Sequence, residues 1–303
     1  MISAEPEPTT VAFESPRDVA ERLLAVGYLT DPTIADAVFL AERLDKPVLV
    51  EGPAGVGKTE LAKAVAAASG RRLIRLQCYE GLDEAKALYE WDYRKQILRL
   101  QIELLPGTGR TWDDIGASLF SQEFLMPRPL LEAIVAPEPV VLLVDEVDRI
   151  EPETEALLLE VLSEFQVTVP ELGTMKARTI PLVFLTSNAT RELSEALKRR
   201  CLFLPAAYPD PARETQIVLL KAPQTSKALA EQVARIIAAI RLMRVRKQPS
   251  VSETIDWARA LAVLDVDEID GAVLQRTLPL LLKSTEDLEH VRAELQPDRA
   301  RPH

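Results

Sequence analysis

The stretch 48-VLVEGPAGVGKTELAKAV-65 decides the fold. A short apolar run meets three glycines, then Lys58 and Thr59, then a helix-like pattern. Glycine costs conformational entropy, so bare backbone at a strand-to-helix junction needs a use. The spacing supplies one. Gly52 to Thr59 reads G-x-x-x-x-G-K-T, the pattern of a phosphate-binding loop. Gly55 and Gly57 let the chain curl so that successive N–H groups face an anion. A helix beginning near Lys58 adds the positive end of its dipole. The expected binding set is Gly52, Pro53, Ala54, Gly55, Val56, Gly57, Lys58, Thr59 and Glu60. Lys58 reaches the β- and γ-phosphates of ATP, and the Thr59 hydroxyl ligates Mg²⁺.

Composition narrows the class. The chain has 303 residues, 47% hydrophobic and 27% charged, with room for a large core or two domains. Its net charge of −11 speaks against a nucleic-acid groove, although a basic strip such as 241-RLMRVRK-247 survives within that average. Two cysteines, Cys78 and Cys201, argue against a disulfide framework. Two histidines near the C-terminus make a histidine metal site improbable. No apolar run is long enough to span a membrane, and the acidic, proline-rich start is unlike a signal peptide, so a cytoplasmic location is expected.

Five segments read as strands: 47–51, 72–77, 139–146, 180–188 and 202–204. Three are almost continuously apolar, as in a parallel sheet covered on both faces. Helical patterns lie between them, which predicts a doubly wound α/β domain. After 208-YPDP-211 the strand signals stop and helical patterns follow at 227–245, 252–264 and 268–282. The expected organisation is a disordered tail at 1–15, an α/β domain at 16–208, a helical lid at 209–295 and a disordered tail at 296–303.

Three further elements carry chemistry. In 140-VVLLVDEVDR-149 an apolar strand ends in two carboxylates. Asp145 holds Mg²⁺, and Glu146 polarises the water that attacks the γ-phosphate. In 183-VFLTSNAT-190, Asn188 ends a strand expected beside that of Asp145, where its amide orients the same water; the alternative is a helix cap. In 194-SEALKRRCLF-203, Lys198, Arg199 and Arg200 form either a solvated face or a cation for a neighbouring subunit's γ-phosphate.

These elements in this order resemble the AAA+ ATPases, and within them the MoxR family, closest to the ATPases accompanying carbon monoxide dehydrogenase and related molybdenum hydroxylases. The resemblance runs from about Val26 to Leu264. It is carried by 27-GYLTD-31, GPAGVGKTELAKAVA, 89-YEWDYRKQ-96, LLVDEVDR, 157-LLLEVLSEFQVTVPE-171, FLTSNATRELSEALKRRC and 249-PSVSETIDWARAL-261. It implies a five-stranded AAA+ core followed by a helical lid. The implied activity is Mg²⁺-dependent ATP hydrolysis in a hexameric ring that matures a client metalloenzyme. A helper with a von Willebrand factor A domain is implied, and no nucleic acid; the alternative is an AAA+ motor on nucleic acid. By resemblance Tyr28 and Leu29 cradle the adenine, and Asn188 is the sensor 1 residue. Arg200 is the arginine finger with Arg199 its competitor, and Arg149 faces a subunit interface. One departure stands out. Glu253 occupies the position of the sensor 2 arginine, so either another lid arginine such as Arg246 or Arg259 serves instead or the lid senses nucleotide weakly, and no sensor 2 residue is assigned.

The same resemblance marks 89–125 and 170–179 as segments facing a pore or client. The first is rich in aromatics (Trp91, Tyr93, Trp112 and Phe124). In the second, Leu172 and Met175 flank the turn-forming Gly173, and the expectation is an exposed gripping tip.

Overall fold

The computed structural model describes residues 11–103 and 119–295. Trp112, the closing tail and most of the opening tail lie outside them. The chain folds as two compact units. One takes the residues up to Glu51 and Thr59–Pro205; the other takes Gly52–Lys58 and the residues from Ala206 onward. The phosphate-loop residues therefore group with the helical unit, which a boundary at residue 208 did not anticipate.

The first unit opens with α1 (Pro16–Ala25) and α2 (Pro32–Arg43), capped by Ser15 and Asp31, each with proline in the first turn. Order begins before Pro16, contrary to the expected tail. Phe13 is fully buried, and the N–H groups of Ala12 and Phe13 donate to the Glu42 carboxylate at 3.0 and 3.1 Å. Five parallel strands follow: β1 (Val48–Glu51), β2 (Arg72–Gln77), β5 (Val140–Asp145), β8 (Leu182–Ser187) and β9 (Leu202–Pro205). Their spatial order is β2-β5-β8-β1-β9. Every residue of β5 and β8 is buried, whereas the edge strands β2 and β9 alternate, as their positions require. This is the sheet read from the sequence.

Helix α3 (Lys58–Ser69) follows β1, with only Lys58 in the other unit. The segment after β2 carries α4 (Glu84–Ala87), the antiparallel pair β3 (Tyr89–Trp91) and β4 (Leu125–Pro127), α5 (Tyr93–Glu103) and α6 (Pro129–Val135). After β5 come α7 (Pro152–Glu164), the hairpin β6 (Gln166–Val169) and β7 (Gly173–Lys176), and α8 (Glu195–Arg200) before β9.

The gripping tip expected at that hairpin is not exposed. Leu172 and Met175 are half-buried and pack against the main core. The turn folds back on apolar neighbours, so Gly173 (φ +80°) shapes a supported hairpin. In the other insert Trp91 and Phe124 are buried, while Tyr93 is 60% exposed.

The second unit is helical: α9 (Pro211–Lys221), α10 (Lys227–Leu242), α11 (Val251–Val263), α12 (Gly271–Thr277) and α13 (Thr285–Glu294). Asp210, Ser226, Ser250, Asp270 and Ser284 cap the five helices in turn. Side-chain caps of this kind satisfy N–H groups that a short helix otherwise leaves orphaned. Helix α10 buries Leu229, Val233, Ile237 and Ile240, one face at helical spacing. They pack around Trp257, whose indole N–H donates to Thr277 Oγ1 at 3.0 Å.

Candidate functional site

In a parallel sheet the carboxyl ends of the strands collect loops and polar residues at one edge. Register places Gln77 opposite Asp145, and Glu51 opposite Ser187. Asp145 is buried, and both its oxygens are engaged. Oδ1 accepts from Thr59 Oγ1 at 2.9 Å and from Thr186 Oγ1 at 2.6 Å. Oδ2 accepts from Arg75 Nε and Nη2 at 3.1 and 2.5 Å. Thr59 on α3 and Asp145 on β5 were singled out as a pair by their motifs, and the fold brings them into direct contact.

Glu146 leaves the strand in a left-handed conformation (φ 59°), rare for a residue with a side chain. Its N–H donates to Thr186 Oγ1 at 2.9 Å, which holds the turn. Its carboxylate accepts from Gln77 Nε2 at 3.2 Å and pairs with Arg149 Nε at 2.9 Å. Arg149 is thus tied within its own chain, directly beside the expected base.

Asn188 directly follows β8, which pairs with β5 as expected. A residue that sequence reading passed over fixes it. Asp148, buried, accepts from the N–H groups of Asn188 and Thr190 at 3.1 and 3.0 Å, and from the Thr190 hydroxyl. Burial pushes the Asp148 carboxyl up, but the hydrogen bonds from Thr190 and Asn188 outweigh it and leave it below its ordinary value. The turn also needs Ala189 at φ 56°. Sequence offered for Asp148, Gln77 and Thr186 only that each lies close to a strand end, which does not say which strands become neighbours.

Both thiols are inert by environment. Burial pushes Cys78 and Cys201 up to about 12, which leaves no thiolate for nucleophilic or metal chemistry near neutral pH.

The loop Gly52–Lys58, in the helical unit, has Gly55 and Gly57 in the left-handed region at φ +81° and +99°. Those conformations let consecutive amides converge on an anion. Lys58, buried, donates from Nζ to the carbonyls of Gly52 and Pro53 at 2.7 Å each. Its ammonium is thereby held against the loop backbone.

The remaining expected residues are dispersed. Tyr28 and Leu29 follow α1 after Gly27 (φ 77°), both half-buried, with the Tyr28 N–H bonded to Leu23 O. Arg200 donates to Ser163 Oγ at 2.5 Å and to Ala196 O at 3.1 Å. Arg199 is exposed and makes no side-chain bond among the described residues. In the helical unit Glu253 completes a capping box with Ser250. Arg246 pairs with Glu286 and Arg259 donates to Lys221 O, so both candidate sensor arginines are occupied inside that unit.

The donor set suits a hard divalent cation. Thr59 and Asp145 offer oxygen ligands, and among the described residues no cluster of three His, Cys, Asp or Glu forms a stand-alone metal site. A cation here needs further oxygens from a bound phosphate and water, as Mg²⁺ in nucleotide sites does.

Comparisons with known proteins bear on the family and the fold. The AAA domain family (dynein-related subfamily) matches residues 47–201, just over half of the chain. The uncharacterized protein SH1500 of Staphylococcus haemolyticus is 27% identical over 224 residues, covering 72% of this chain and 76% of its own. Among solved structures, a point mutant of Thermotoga maritima RuvB is similar at a TM-score of 0.50 and 17% identity, with 89% of this chain and 71% of that chain covered. The Thermotoga maritima RuvB Holliday junction branch migration motor is similar at 0.48 and 17%, with 86% and 69% covered. At 17% identity the first of these speaks to the fold alone. With the phosphate loop, the strand-end carboxylates and the five-stranded sheet in place, this chain belongs to the dynein-related subfamily of AAA domains, a family of nucleotide hydrolases.

Proposed function

We propose that the chain is a MoxR-type AAA+ ATPase that uses Mg²⁺-dependent ATP hydrolysis in a hexameric ring to mature a client metalloenzyme. The molybdenum hydroxylases are the leading client class, and a von Willebrand factor A domain protein is the expected helper. The converging amides of the loop and the Lys58 ammonium neutralise the phosphates. Thr59 and Asp145 would hold Mg²⁺, which when bound draws charge from the phosphate oxygens. Glu146 accepts the proton of the attacking water, and its turn is preset by Thr186 and Gln77. Asn188 orients that water from a loop pinned by Asp148.

Arg200 is the finger by resemblance, acting on a neighbouring subunit. The free guanidinium of Arg199 makes it the competitor, since Arg200 would first have to release Ser163.

The observation that supports a protein client is the outer face of α5. Tyr93, Ile97, Leu98 and Ile102 are 54–60% exposed on one helix. A hydrolase core has no need of such a surface, and apolar side chains gathered in water mark a contact. The test is ATP-dependent activation of a purified, inactive molybdenum hydroxylase by the wild-type chain and by an Ile97→Ser/Leu98→Ser variant. Activation by the wild type alone, with ATP hydrolysis equal in both, is expected. Hydrolysis stimulated by DNA and indifferent to the hydroxylase would replace this reading with a nucleic-acid motor.

A further inference from the structure

The helical unit contains a fixed support for the phosphate loop. The Tyr208 hydroxyl donates to Ala54 O at 2.9 Å, and the Val251 N–H, in the first turn of α11, donates to Gly55 O at 2.9 Å. The fit is close. A Cβ on Gly55 would fall 2.3 Å from Ser250 Cβ.

These two bonds have a consequence for anion binding. In a planar trans peptide the carbonyl and the following N–H point in opposite directions. Tying Ala54 O and Gly55 O to the helical unit therefore turns the N–H groups of Gly55 and Val56 the other way. Those N–H groups belong to the G-x-x-x-x-G-K-T loop, where such donors receive phosphate oxygens.

Both supports meet one side chain. Arg241, at the end of α10, lies with its guanidinium carbon 4.2 Å from the Tyr208 ring centroid. It grips Glu214 on α9 through Nη1 and Nη2 at 2.6 and 2.8 Å. Its Nε donates to Pro249 O, one residue before Ser250, at 2.9 Å. Glu214 also accepts from Thr254 Oγ1 at 2.8 Å. The pair is buried, with Glu214 0% and Arg241 9% exposed. A buried bidentate pair with its remaining lone pairs satisfied is stiff and orientation-specific.

We infer that Arg241 is a positioning residue for nucleotide binding. It fixes Tyr208 and the start of α11, and these aim the loop amides at phosphate. This deepens the ATPase reading and rests on it.

The test uses the full chain and a fluorescent N-methylanthraniloyl ATP with Mg²⁺. Tyr208→Phe keeps the ring and removes one hydrogen bond. It should weaken binding about 5-fold, with the loss in Kd and KM rather than in kcat. Arg241→Lys keeps the charge but loses the fork and the stack, so it should weaken binding at least as much. Because Arg241 acts through Tyr208, the double variant should be less than additive. Wild-type affinity in Tyr208→Phe overturns the inference, as do additive losses. A lowered melting temperature with unchanged Kd would make the cluster merely structural. Should Arg241→Lys fail to fold, Tyr208→Phe decides alone. A wild-type chain that binds no ATP analogue refutes the ATPase reading itself, a distinct outcome.

Discussion

The carboxylate edge of the sheet and the Gly52–Lys58 loop are both polar, yet they are held by opposite means. At the sheet edge, side chains hold side chains. Thr59, Thr186 and Arg75 fix Asp145, Gln77 and Arg149 fix Glu146, and Asp148 fixes the turn after Asn188. At the loop, backbone carbonyls are the parts that are held, by Lys58, Tyr208 and Val251. Side-chain networks set where a proton or cation goes, whereas backbone supports set where amides point. The first arrangement suits chemistry and the second suits binding.

If that division holds, a change at the loop should abolish binding before chemistry is in question. Lys58→Ala removes the cation held over the loop, and no binding of ATP should be detectable by fluorescence titration. Binding close to the parental affinity would break the comparison at its loop side.

The next effect concerns the arginines of α8, which belong to neither arrangement. Loss of a finger should cost about 10³-fold in hydrolysis with ATP affinity intact. Arg200→Ala is expected to show this, and Arg199→Ala is the competing outcome because its guanidinium is uncommitted. Mixing the inactive variant with Lys58→Ala subunits should restore turnover, measured as phosphate release. Activity that is independent of protein concentration, with no rescue, would remove the ring.

The smallest effect is one of stability. The folded Asp148 carboxyl sits below its ordinary 3.8, so its contribution is fully present above about pH 4 and is lost as pH falls through the lower folded value. Asp148→Asn keeps the shape and removes the charge. It should lower stability at pH 7 by about 1–2 kcal/mol and flatten the acid limb of a stability–pH curve. An acid limb identical to the parent's would mean that Asp148 does not stiffen the Asn188 turn.

How legible each region was follows from the same contrast. The strands β1, β5 and β8 were readable because burial on both faces makes a run apolar, and runs are local; β2 and β9, at the edges, were read from short runs of strand-forming residues between helical patterns. Thr59, Asp145 and Glu146 were readable because each sits in a short motif whose spacing has a mechanical meaning. Asp148 and Gln77 were not, because their roles depend on which strands become neighbours. The support of the loop was the least legible part. Tyr208 reaches Ala54 across 154 positions and Arg241 reaches Glu214 across 27, so no window of sequence holds both ends. The hairpin error has a similar origin. Gly173 announced a turn correctly, but only the packing of Leu172 and Met175 on the core shows which way it faces. Phe13 was lost to the composition around it, since a proline-rich acidic opening hides one buried anchor.

The most direct measurement compares ATP binding and phosphate release for the wild-type chain and Glu146→Gln. Glutamine keeps the size and can keep the bond to Gln77, but it cannot take a proton from water. ATP affinity should be unchanged while phosphate release falls by about 10²-fold or more, trapping ATP on the protein. Phosphate release at the parental rate from Glu146→Gln would contradict the account.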